Sequence, residues 1–108
     1  MKSWLLVETR DPSMCRDVDF TAALAAGLAR KGEPATLFLA GNGVFAARAG
    51  SRDGDLRALL RGGVRVLADR SALRERGLEE ADLIRGAETA ELDVVLDALA
   101  SGAQVIWR

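Results

Sequence analysis

Four short stretches of nearly continuous apolar sequence constrain the fold of this chain more than any other feature. They are Trp4-Leu5-Leu6-Val7, Ala35-Thr36-Leu37-Phe38-Leu39-Ala40, Val64-Arg65-Val66-Leu67-Ala68 and Ala103-Gln104-Val105-Ile106-Trp107. A strand with one wet face alternates apolar and polar residues, whereas a strand covered on both faces does not. Strands are therefore expected at residues 3–9, 35–40, 64–68 and 103–107. The sequence between them has helical spacing. Phe20, Leu24 and Leu28 recur every four residues in a helix over 18–31. Asp17 is its N-cap candidate, and Arg30-Lys31 and Gly32 suit its C-terminus. Val44 to Arg48 reads as one helical turn, and 49–54 as a mobile surface loop. Leu56, Leu59 and Leu60 mark a short amphipathic helix stopped by Gly62-Gly63. A short basic helix, Ala72 to Arg76, ends at Gly77. Asp82 to Arg85 reads as a short fourth strand. Leu92, Val95, Leu96 and Leu99 form a core-facing stripe on a helix capped by Thr89 and closed by Gly102.

Strands alternating with helices pair in parallel through right-handed crossovers. The expected architecture is α/β, a three-layer α/β/α sandwich around a mostly parallel sheet of about five strands. A chain of 108 residues is expected to form one domain, 1–108, around a single core.

Composition removes several functions. There is no histidine, so His-based triads and His-metal sites are excluded, and no G-x-S-x-G elbow is present. No metal or cofactor is expected. The net charge of −1 gives no nucleic-acid footprint. No apolar run approaches the ~20 residues of a membrane span. Met1-Lys2-Ser3-Trp4 leads directly into strand-like sequence without a signal-peptide pattern, so a cytoplasmic protein is expected. Cys15 is the single cysteine, which rules out an internal disulfide and fits a reducing compartment.

In an open parallel sheet, ligands sit beyond the carboxyl ends of the strands. That places the candidate site on Arg10, Asp11, Cys15 and Arg16 after strand 1, on Asn42 and Gly43 after strand 2, and on Asp69, Arg70 and Ser71 after strand 3. Cys15, flanked by Arg16 and ahead of a helix, is either a nucleophilic thiol or an incidental loop cysteine. Asp69 and Ser71 either line the site or cap the helix that starts there. Arg70, Arg74 and Arg76 either hold an anion or pair with Glu75, Glu79 and Glu80 on a wet face. Arg10 and Asp11 either line the pocket or form a surface pair. Gly41-Asn42-Gly43 tolerates positive φ, but it fits neither G-x-G-x-x-G nor a Walker pattern. Trp4 and Trp107 are either core residues or, if exposed, interface residues.

Several features carry a resemblance along the whole chain. The first strand ends in Glu8-Thr9-Arg10-Asp11-Pro12. The second ends in Gly41-Asn42-Gly43-Val44, with Ala46-Ala47 and Gly50-Ser51 following. The third leads to Arg76-Gly77-Leu78. In this order and spacing the chain resembles the DsrE/DsrF/DsrH-like family, which includes the TusB, TusC and TusD sulfur-relay subunits. The resemblance implies a small α/β domain that assembles as a homo-oligomer (trimer or hexamer) or with other DsrE-like chains. It also implies sulfur carried as a cysteine persulfide. In the DsrE and TusD branch the active cysteine follows strand 3, where this chain reads Leu67-Ala68-Asp69-Arg70-Ser71. Val105-Ile106-Trp107 and the segment from Leu67 to Gly77 are closer to the DsrH/TusB branch, whose chains often serve as partner subunits. The expected function is an accessory or carrier subunit in intracellular sulfur transfer without the standard cysteine, with Cys15 as the carrier and Arg16 and Arg70 as electrostatic support. The alternative is a non-catalytic oligomeric binding or assembly domain that holds a small anion.

Overall fold

The computed structural model describes residues 2–50 and 54–108. In chain order the elements are β1 (Trp4–Glu8), α1 (Asp17–Arg30), β2 (Ala35–Leu39), a 3-10 segment (Gly41–Ala47), α2 (Gly54–Arg61), β3 (Arg65–Asp69), α3 (Arg70–Glu75), a 3-10 turn (Glu80–Asp82), β4 (Glu88–Ala90), α4 (Asp93–Ala100) and β5 (Gln104–Trp107). The five strands form one sheet in the order β4-β3-β2-β1-β5. Every neighbouring pair is parallel, as the crossover argument requires. The expected loop over 49–54 lies partly outside the described residues.

Register explains the two cores. Leu6 pairs with Leu37 and Ile106, while Val7 pairs with Phe38 and Trp107. Successive side chains point to opposite faces. One face, with Leu6, Leu37, Leu39, Val66 and Ala68, packs under α1, α2, α3 and the first 3-10 segment. The other, with Leu5, Val7, Phe38, Ala40 and Leu67, packs against Val95 with Val94 and Ala98 of α4. Phe38 is fully buried, and burying such a side chain contributes roughly 1.5–3 kcal/mol.

Several sequence expectations need correction. Residues 82–85 do not join the sheet. Asp82 is held in a reciprocal capping arrangement with Glu79, and Ile84 N–H donates to the Ala47 carbonyl at 2.8 Å. Leu83 makes a single antiparallel bridge with Arg48, so Leu83 and Ile84 plug the core beside the first 3-10 segment. The fourth strand is Glu88–Ala90. Thr89 lies within it, and Leu92 takes the cap position of α4.

The leucine stripe also needs correction. Val95 is buried, but Leu92, Leu96 and Leu99 are 51%, 68% and 57% exposed. The smaller Val94, Val95 and Ala98 let α4 lie close on the sheet, which rotates the leucines onto a flank. Similarly, Leu28 is buried but Phe20 of α1 is exposed, with the Arg108 guanidinium 5.4 Å from its ring centre. Lastly, α1 begins at Asp17, so its cap position falls on Arg16, and α3 begins at Arg70, two residues earlier than expected. Among the described residues no helix is long and apolar enough to cross a membrane.

Candidate functional site

The carboxyl ends of β1, β2 and β3 open on one edge of the sheet, and the residue that organises this edge is Glu8. It follows Trp4 and Leu6 on the face beneath α1, which leaves a carboxylate fully buried at the end of an apolar strand. A buried charge needs a counter-charge and hydrogen bonds. Glu8 has both. Its Oε2 accepts from the Arg10 backbone N–H at 3.0 Å and from Arg10 Nε at 3.0 Å. Its Oε1 accepts from Arg10 Nη2 at 3.2 Å and from the hydroxyl of buried Thr21 in α1 at 2.8 Å. Burial pushes the Glu8 carboxyl up. The hydrogen bonds from Arg10 and Thr21, with the charge of Arg10, outweigh that and hold it below the ordinary carboxylate range.

The backbone of Glu8 meets the β2 turn at the same point. Its carbonyl accepts from Ala40 N–H at 3.0 Å. A Cβ on Gly43 would lie 2.2 Å from that oxygen, so only glycine fits. Of the Gly41-Asn42-Gly43 turn, Gly41 alone has positive φ (51°). Gly43 serves close backbone approach, whereas the sequence had suggested conformational freedom for the whole turn.

The other expected site residues separate into three groups. Arg10 pairs with Glu8. Asp11 Oδ1 accepts from the Ser13 backbone and hydroxyl, each at 2.9 Å, closing a local turn. Cys15 is a free, partly exposed thiol in this loop, and its carbonyl accepts from Val18 N–H as α1 starts. Arg16 beside it is exposed.

At the end of β3, Asp69 holds the cap position of α3 without a side-chain cap bond, and Ser71 lies exposed in the first turn. Arg70 turns toward β4, where it bonds the Thr89 hydroxyl at 3.0 Å and pairs with Glu91. Because β2 separates β3 from β1, at roughly 5 Å per strand, this guanidinium points away from Cys15. It does not give the thiol the support expected of it.

Between these, Asn42 Oδ1 accepts from Arg76 Nε at 3.1 Å and Nη2 at 2.9 Å. Arg76 Nη1 donates to the Ala72 carbonyl at 3.0 Å, and its guanidinium lies 5.9 Å from the Phe45 ring centre. Arg76 therefore locks α3 onto the turn after β2, and its 3.8 Å approach to Glu75 is secondary. Trp4 packs against the core and donates from Nε1 to Glu33 at 3.2 Å, whereas Trp107 is 56% exposed.

Sequence reasoning missed Glu8, Thr21 and the Asn42–Arg76 clasp. The signal for Glu8 was available: a charge at a position that alternation places on the covered face of β1. Nothing in the spacing pointed to Thr21 or to the clasp. Among the described residues no group of three or more His, Cys, Asp or Glu is placed to hold a metal.

Three solved structures share this architecture at identities that speak to fold alone. The YchN protein of E. coli has a TM-score of 0.84 at 23% identity, covering 100% of both chains. A protein of unknown function from Methanobacterium thermoautotrophicum, MTH1491, has a TM-score of 0.85 at 20% identity, covering 99% of this chain and 98% of its own. A conserved protein of unknown function from Bacteroides thetaiotaomicron, BT1422, has a TM-score of 0.81 at 17% identity, covering 99% and 95%. No curated protein matches the sequence. The model of the DsrE/DsrF-like family matches residues 14–107, from the loop that holds Cys15 through β5. By that match the chain belongs to the DsrE/DsrF-like family.

Proposed function

We propose that this chain, as one DsrE-like domain over 1–108, is a carrier or accessory subunit of cytoplasmic sulfur transfer in which Cys15 holds the moving sulfur. The observation that carries the reading is the placement of that thiol. It is free and partly exposed, at the ligand-bearing edge of a parallel sheet, in the loop that also supplies Arg10 and Arg16. The end of β3 has Asp69-Arg70-Ser71 and no sulfur.

The transfer is an exchange between persulfide and thiolate. The Cys15 thiolate attacks the outer sulfur of a donor persulfide, and a new S–S bond forms as the donor's S–S bond breaks. The donor leaves as a thiolate, and Cys15 is left as a persulfide with no net change of oxidation state. An acceptor thiolate then repeats the step.

Self-association belongs to this reading. Leu92, Leu96 and Leu99 share the α4 side of the sheet with Trp107, whose register partner Val7 faces α4. Exposed apolar clusters of this kind mark subunit contacts.

A second reading is favoured by Arg70. Its pairing with Thr89 and Glu91 closes the β3 end, as expected of an assembly domain that kept the fold without the chemistry. Incubation with a persulfide donor followed by intact-mass measurement separates the two. The carrier reading predicts the added mass of one sulfur on the wild type and none on Cys15→Ser. An unloaded wild type with a reduced thiol leaves the assembly reading.

A further inference from the structure

The surface opposite α4 contains a groove of about 470 Å³ between α1 and α2. Its floor is small and apolar, with Ala23 and Ala26 from α1, Ala58 from α2 and Gly62 just after it. Asp19 marks the start of the groove along α1 and Arg30 its end, both exposed. Among the described residues neither has an ion-pair partner. Two opposite charges thus stand unpaired at the ends of one helix, roughly 16 Å apart at 1.5 Å per residue.

From this pattern we infer that the α1–α2 groove is a two-fold interface, occupied by α1 of a second copy of this chain running antiparallel. This rests on the self-association proposed above and assigns it a contact on the face opposite the α4 leucines. A helix that fits must bring a cation to Asp19 and an anion to Arg30, with nothing bulky between. Turned end for end, α1 is such a helix: Arg30 of the second copy meets Asp19, and Asp19 of the second copy meets Arg30. One pairing generates the other, as in any isologous contact. The axis then passes midway between the charges, beside Ala23 and Ala26, where methyl side chains let two helices approach to about 8 Å. Antiparallel alignment also sets the two helix dipoles favourably. The α4 flank does not pair with itself in this way. Asp93 and Asp97 border its leucines, and no Lys or Arg lies between residues 86 and 107.

Sedimentation of the wild type, Asp19→Arg, Arg30→Asp and the double variant tests the assignment. Either single change sets like charges against each other at both ends of the interface, and each should weaken self-association about tenfold or more. The double variant restores opposite charges and should recover the wild-type mass. Three results overturn the assignment: single variants that keep the wild-type mass, a double variant that fails to recover it, or an assembly lost in Leu96→Asp and untouched by the charge changes. The last of these leaves self-association standing on the α4 surface. A wild type that sediments as one chain removes both the interface and the oligomeric reading.

Discussion

Replacing Glu8 with Gln keeps the shape of the side chain and removes its charge. The carboxylate accepts four hydrogen bonds, three from Arg10 and one from Thr21, with its side chain about 1% exposed. Breaking a buried ion pair from one side costs about 3–5 kcal/mol, because the remaining charge is left uncompensated. Arg10 is 32% exposed and its interactions extend beyond Glu8, so part of that charge stays compensated, and the expected loss falls to about 2–3 kcal/mol. At about 4 °C or more per kcal/mol for a domain near this size, the melting temperature should drop by about 8–12 °C. Urea titration across pH adds a second readout. The folded-state pKa of Glu8 is lowered, so its contribution is complete above the ordinary carboxylate pKa and is lost as pH falls through the folded value. The wild type should therefore lose this increment on acidification, and Glu8→Gln should not. A variant within about 0.5 kcal/mol of wild type, with an unchanged acid profile, would refute the reasoning.

Three further outcomes follow from the same geometry. Thr21→Val removes a hydroxyl bond to a buried carboxylate and should cost about 1.5–3 kcal/mol in urea titration. Gly43→Ala forces a methyl group against the Glu8 carbonyl and should cost about 3 kcal/mol or more, while Gly50→Ala, which meets nothing within 4 Å but has positive φ, should cost only about 1–2 kcal/mol. Arg76→Ala and Asn42→Ala should be non-additive by about 0.5–1.5 kcal/mol in a double-mutant cycle, whereas strict additivity would deny the clasp.

Much of the fold was legible because strands buried on both faces leave an unbroken apolar signature. β1, β2, β3 and β5 were each placed within a residue or two, and the parallel pairing followed from the helices between them. β4 was missed because it is an edge strand of three residues, Glu-Thr-Ala, with no apolar run to announce it. Leu83 and Ile84 supplied a false signal, since their burial comes from plugging the core outside the sheet. The α4 stripe misled for another reason. Helical periodicity reports that apolar residues share a face, and it does not say whether the cover is this chain or another. At the site, sequence order grouped the loops that follow β1, β2 and β3 at one end of the sheet, where the structure also has them. It could not show which partners the cations take: Arg70 to Glu91 and Arg76 to Asn42 are long-range choices fixed by packing, and Arg10 reaches back two residues to a Glu8 carboxylate that packing has buried.

The claim that Cys15 carries sulfur is tested most directly by single-turnover transfer. The protein is loaded from a donor bearing labelled sulfane sulfur, freed of donor, and mixed with an acceptor thiol. The account predicts label on wild-type protein in a one-to-one ratio, its movement to the acceptor, and neither event with Cys15→Ser. Label that stays absent from a reduced wild type, or that binds equally well to Cys15→Ser, would contradict it.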